Sequence, residues 1–267
     1  MKKNKSIILW IIAIVFTLSI AFFQRITGPT QNIKGKFEIN NSPVSYTLPR
    51  TSDNENGEKV SIKVKDTTVT GFMKFKRYKS NDYLTISPLV REGEYLTVVI
   101  PPQPPAGKVM YRITLEGNGV KYKLTDNWVV IRFKGMVPAS ILIPHIILMF
   151  LAMLFSTRTG LEAIFKGFKT YRYSFVTLVS LFIGGGILGP IVQKYAFGAY
   201  WTGWPFGHDL TDNKTLVAII FWMFAFYKLA KNRENRKWAV IAAVILLAVY
   251  LIPHSVLGSE IDYTKVQ

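Results

Sequence analysis

The chain has 267 residues, is 49% hydrophobic and carries a formal net charge of +17. It contains no cysteine, which excludes disulfides, thiolate metal sites and cysteine nucleophiles. It also lacks a P-loop, a dinucleotide glycine fingerprint, a His-Glu-x-x-His pair and a nucleophile elbow, and Asp209, Asp212 and Asn213 do not match calcium-loop spacing.

The apolar residues gather in five nearly uncharged runs, 7–23, 137–155, 174–192, 215–229 and 238–253. A run of about 17–25 apolar residues crosses a hydrocarbon core roughly 30 Å thick. The first three runs meet that length, and the last two need their aromatic and polar flanks to reach the interfaces. The expected fold is therefore a membrane α-helical protein with five transmembrane helices and an inserted all-β domain.

Lys2, Lys3 and Lys5 precede the first run. The run is longer than the core of a cleaved signal peptide, and Ala21-Phe22-Phe23-Gln24-Arg25 offers no small-residue cleavage site. Residues 1–25 read as an uncleaved signal anchor, with a cleaved peptide as the alternative. The lysines hold the N-terminus in the cytoplasm.

Residues 26–135 alternate with period two. Val60, Ile62 and Val64 form one inward set, Val109, Tyr111, Ile113 and Leu115 a second, and Val129, Ile131 and Phe133 a third, opposite Arg132 and Lys134. Similar patterns fit 69–75 and 95–100. Such alternation marks half-buried strands, and Gly93, the proline-rich stretch 101–107 and Gly117-Asn118-Gly119 supply turns. Seven or eight short strands predict an extracytoplasmic antiparallel sandwich of immunoglobulin-like or fibronectin-like type; a small barrel is the alternative. Lysine and arginine outnumber aspartate and glutamate in this domain. That excess suits anionic lipid headgroups or a polyanionic partner, and equally an ordinary solvated face. Pro138 fits the start of the next helix, and the short link before it predicts a sandwich held close to the membrane.

Residues 136–257 read as a four-helix transmembrane bundle. Arg158, Lys166, Lys169 and Arg172 mark one cytoplasmic loop, and Lys228, Lys231, Arg233, Arg236 and Lys237 the other. The loop 195–215 and the tail 258–267 then lie outside. This topology puts all three histidines, His145, His208 and His254, in the outer half. His145 is the one well inside a span, where an ionisable residue is costly. Gly184-Gly185-Gly186 and Gly189-Pro190 follow in span three. They read either as a close-packing face with a kink or as room for a ligand beside His145.

The loop 195–215 holds Tyr195, Phe197, Tyr200, Trp201, Trp204 and Phe206, with His208, Asp209 and Asp212. It is far richer than a connector needs. The candidate ligand-binding residues are His145, His208, Asp209, His254, Trp201, Trp204, Glu260 and Asp262, and any metal would fall to His145, His208 and His254. Each also has a plainer reading: Asp212 or Thr211 as a helix cap, the tryptophans as an interfacial belt, and the acids as tail residues. The loop is expected to fold over the outer ends of spans two and five, turning at Trp204-Pro205-Phe206-Gly207, with His208 and Asp209 facing His254.

Two functions follow as expectations. The first is a binding or assembly protein of the cytoplasmic membrane, engaging a protein, lipid or glycan through its outward β domain and aromatic loop. Membrane lipid and a membrane or periplasmic protein are the expected partners; nucleic acid is not, because the basic residues track topology. The second is a redox or metal subunit using the outer histidines for haem, metal or quinone. The residues specify no cofactor.

Overall fold

The computed structural model describes residues 3–28, 30–53, 55–252 and 258–265. The chain divides into two compact units. One comprises Met1–Pro29, Val137–Tyr195 and Ala199–Ser259, and the other Thr30–Met136, Ala196–Gly198 and Glu260–Gln267.

Among the described residues of the second unit the regular structure is β, apart from Ala196 and Phe197, which end a helix. Its strands are β1 (Ile33–Ile39), β2 (Ser42–Leu48), β3 (Thr51–Ser52), β4 (Glu58–Val64), β5 (Thr70–Arg77), β6 (Thr85–Pro88), β7 (Val90–Glu92), β8 (Tyr95–Ile100), β9 (Lys108–Gly117), β10 (Val120–Lys123) and β11 (Val129–Phe133). They form two sheets, ordered β1-β2-β4-β8-β7 and β3-β11-β9-β5-β6, with β10 beside β9. All pairs are antiparallel except β11 with β3. The inward sets read from the alternation are the core. Val60, Ile62 and Val64 from one sheet and Val109, Tyr111, Ile113, Leu115, Val129, Ile131 and Phe133 from the other are all buried in one cluster. The Tyr111 hydroxyl donates to the Pro49 carbonyl at 2.8 Å, and burial holds this phenol far above its ordinary pKa. Arg132 departs from the alternation reading. It is buried, 6% exposed, with its guanidinium 4.6 Å from the Phe197 ring, because an aromatic face can receive an arginine stem and charge together.

The strand pair β1–β2 has no counterpart in the alternation reading. Its two-residue connection, Asn40-Asn41, has positive φ at both positions, 53° and 59°. That is the backbone a type I′ turn demands, and asparagine tolerates it. Asn118-Gly119 repeats the device between β9 and β10.

The other unit is helical: α1 (Lys3–Thr27), α2 (Ala139–Ile164), α3 (Thr170–Leu181), a π-helical segment (Phe182–Leu188), α4 (Gly189–Phe197), α5 (Leu210–Lys231) and α6 (Arg236–Leu251). Four stretches are long and apolar enough to cross a membrane: Asn4–Thr27, Ala139–Ile164, Thr170–Phe197 and Leu210–Lys231. α6 has 16 residues, about 24 Å at 1.5 Å per residue, and the continuation of its run at 253–257 lies outside the described residues. The outward faces are apolar. Ile8, Ile11, Val15, Leu18 and Phe22 of α1, and Ile143 and Ile147 of α2, are each about half exposed or more. Faces this large and greasy belong against lipid. The interior centres on Trp222, fully buried among Ala152, Ala218, Ala225 and Ala242.

Span three is not one continuous α-helix. At 182–188 it widens to π geometry, and the three glycines set its packing. A Cβ on Gly184 would stand 2.9 Å from the Leu148 Cβ of α2, and one on Gly185 2.8 Å from the Thr215 Cγ2 of α5. Of the two readings of these glycines, close packing is the one the geometry displays.

Candidate functional site

The aromatic loop is mounted on the first turn of α5. Asp209, Asp212 and Asn213 are spaced i, i+3 and i+4, so they share one face. Asp209 caps the helix: one carboxylate oxygen accepts from the Thr211 N–H at 2.8 Å. Its other oxygen accepts from the Ser259 N–H at 2.8 Å, the Ser259 hydroxyl at 2.7 Å and the Thr202 hydroxyl at 3.2 Å. Asp212 accepts from the N–H groups of Thr202 and Gly203 at 2.7 and 2.9 Å, and from the Gln193 amide at 3.0 Å. Asn213 accepts from the Trp204 N–H at 2.6 Å. Gly203 must lack a side chain, because a Cβ there would lie 2.5 Å from the Asp212 Cβ.

Negative charge at a helix start is favoured by the unpaired N–H groups and the helix dipole. Burial acts to raise the Asp209 pKa, but the bonds from Ser259, Thr211 and Thr202 outweigh it and hold it below the ordinary carboxylate value. Lys214, 6% exposed, donates to the Ile252 carbonyl at 2.7 Å, tying α5 to the end of α6.

Above this mount the loop turns tightly. The N–H groups of Phe206 and Gly207 both donate to the Gly203 carbonyl at 2.9 Å, and Asp209 N–H donates to Thr202 at 3.0 Å. The Trp204–Pro205 peptide is cis, and the turn falls on the tetrapeptide expected from its proline and glycine. The Trp201 indole donates to the Trp204 carbonyl at 3.0 Å. What the turn presents is aromatic: Tyr200, Trp204 and Phe206 are 59%, 68% and 83% exposed.

The remaining candidates separate. His145 lies in α2 with its Nδ1 2.9 Å from the Gly184 carbonyl at the π segment, a satisfied partner within the helical unit. His208 is exposed. His254 lies outside the described residues, so its distance to His208 does too. Glu260 belongs to the β unit, where it pairs with Lys79 and Lys108. Burial would raise its pKa, but hydrogen bonds from the two lysines hold it low. Asp262 accepts from Thr264 within the same short turn. Among the described residues no group of three His, Asp or Glu side chains is placed to hold a metal ion.

A second polar centre was read in the sequence only as loop charge. Arg158 belongs to α2, not to a loop, because that helix continues to Ile164. It is fully buried and lies 2.6 Å from Glu162, which is 2% exposed. The contact is ionic, since it lacks hydrogen-bond alignment. The guanidinium sits 5.4 Å from the Trp10 ring and 5.0 Å from that of Tyr173. Glu162 also accepts from the Lys169 N–H at 3.2 Å. The i, i+4 spacing of Arg158 and Glu162 was the available signal.

Comparison with known protein families, characterised proteins and solved structures returns no match.

Proposed function

We propose that the chain is a binding or assembly protein of the cytoplasmic membrane, with five spans, a cytoplasmic N-terminus and an outward-facing, immunoglobulin-like β domain. α6, apolar along most of its length, would be the fifth. The basic residues Lys166, Lys169 and Arg172, and Lys228 to Lys237, support that orientation by the positive-inside rule.

The observation that carries the reading is the division of labour in the loop. Asp209, Asp212 and Asn213 are spent on holding it to α5, while Tyr200, Trp204 and Phe206 project from a fixed base. Rigid aromatics lose little entropy on docking and dominate interface energetics. The partner is a protein, lipid or glycan at the outer membrane surface.

The test is co-purification from native membranes in mild detergent. Trp204→Ala with Phe206→Ala, and separately deletion of 26–134, should each remove partners that the unaltered chain retains. Identical partners in all three preparations would refute the reading.

A further inference from the structure

The outer face of the first sheet carries a basin of about 480 Å³. Its shape follows from strand register. Lys36 faces Ser45, Ser45 faces Lys63, and Lys63 faces Tyr95, so one row crosses four strands as Lys-Ser-Lys-Tyr. In the next row Lys34 faces Thr47, and Ser61 faces Thr97. Alternation puts these residues opposite the buried Val44, Val60, Ile62 and Val64. Short side chains, Ser45, Thr47 and Ser61, make the floor. Long ones, Lys34, Lys36, Lys63 and Tyr95, make the walls.

The charges are poorly compensated. Lys63 lies 3.4 Å from Glu94, but both side chains are about half exposed, and such contacts contribute little. Among the described residues, Lys34 and Lys36 make no ion pair, and the three floor hydroxyls make no hydrogen bond. Neighbouring strands are about 4.8 Å apart, so Lys36 and Lys63 stand about 10 Å apart across Ser45. A bound anion would relieve their repulsion.

We infer that this basin binds an acidic carbohydrate. Carboxylate, sulfate or phosphate groups on the sugar would meet the three lysines. The sugar hydroxyls would exchange hydrogen bonds with Ser45, Thr47 and Ser61. Tyr95, 43% exposed, offers a ring face at the rim. A single-stranded nucleic acid would want successive aromatic platforms; of the two tyrosines in the lining, Tyr46 packs against the core and donates to the Leu124 carbonyl at 2.6 Å, which leaves Tyr95. The inference rests on reading the β domain as a binding module and names its ligand class.

The test is calorimetric titration of the full-length chain in detergent. The acidic probes are tetragalacturonate and a sulfated tetrasaccharide, and the controls are cellotetraose, inorganic phosphate and a short oligonucleotide. At least one acidic tetrasaccharide should bind, and cellotetraose should not. Lys34→Gln, Lys36→Gln and Lys63→Gln together should weaken binding about tenfold or more, a loss of about 1.4 kcal/mol. Ser61→Leu, which fills the floor and keeps every charge, should weaken it as well. Both variants should keep the unaltered thermal unfolding profile, since the replaced side chains lie on the outer face.

Three results would overturn the inference: neither acidic probe binds; the triple variant binds unchanged; or the oligonucleotide binds as tightly and Ser61→Leu has no effect, which leaves a merely basic surface. Phosphate binding without tetrasaccharide binding counts with the first. Failure of both acidic probes to bind, with partners lost from the loop variant as expected, would remove this inference alone. Sugar binding as expected, with partners kept by the Trp204→Ala and Phe206→Ala variant, would remove the loop reading alone.

Discussion

Two buried carboxylates carry opposite burdens. Asp209 is 8% exposed and gathers four hydrogen bonds at its two oxygens. Its folded pKa is depressed, so its contribution to stability is full above the ordinary aspartate value and is lost as pH falls through the folded one. Asp209→Asn keeps a good helix cap but exchanges charge-assisted bonds for neutral ones, a loss of about 1–2 kcal/mol. Melting curves in detergent should show that gap at pH 7 and show it closing below about pH 4. A gap that persists there would mean the charge is not what matters. Glu162 is held by Arg158, and both side chains are buried. Glu162→Ala strands a buried guanidinium and should cost about 3–5 kcal/mol, whereas Arg158→Met with Glu162→Leu should be near neutral or stabilising. Thermal unfolding of both variants checks this; equal losses would show that the pair is not the source of the cost.

At the scale of elements, the turn between β1 and β2 gives a sharp test. Asn41 sits at φ 59°, a conformation that glycine takes freely. Asn41→Gly should stabilise the β unit or leave it unchanged, and Asn41→Pro should destabilise it by about 3 kcal/mol or more, because proline cannot reach positive φ. Denaturant melts of the two variants read this directly. The same region shows what a sequence discloses. β4, β9 and β11 were legible because each buries one face, so apolar and polar residues must alternate. β1 was not, since Lys34, Gly35 and Lys36 interrupt any apolar row, and the informative signal was Asn40-Asn41. The π segment was illegible for another reason. Three glycines are compatible with a break, a kink or a packing face, and only the approach of Leu148 and Thr215 decides among them. Asp209 could be singled out as a residue, but its mount could not. Thr202, Gly203 and Trp204 give backbone N–H groups, which leave no mark in side-chain identity, and Ser259 lies 50 residues away along the chain.

The whole molecule lends itself to a direct test of orientation, because it has no cysteine of its own. A single introduced cysteine is then the one thiol that an impermeant maleimide can reach. Tyr83→Cys in the β domain and His208→Cys in the loop should label in intact cells. Lys166→Cys and Glu234→Cys should label after the membrane is opened. All four original side chains are exposed or sit in helix connections, so a silent site reports sidedness and not burial. Labelling of Lys166→Cys in intact cells would reverse the proposed topology. The number of crossings was less legible than their existence: the last run is apolar throughout, but α6 has only 16 residues.

The way the loop is fastened bears on how this protein can evolve. Three of the bonds in its mount run from main-chain donors in the loop to Asp212 and Asn213 on α5. Every residue except proline supplies a main-chain donor, so replacements at Thr202 and Trp204 leave those main-chain bonds in place, and Phe206 lies outside the mount. Gly203, Asp209, Asp212 and Asn213 have no such freedom. Descendants of this chain can therefore exchange the exposed rings, and with them the partner, while inheriting the same foundation. Variation among relatives should concentrate at 204 and 206 and be scarce at 203, 209, 212 and 213.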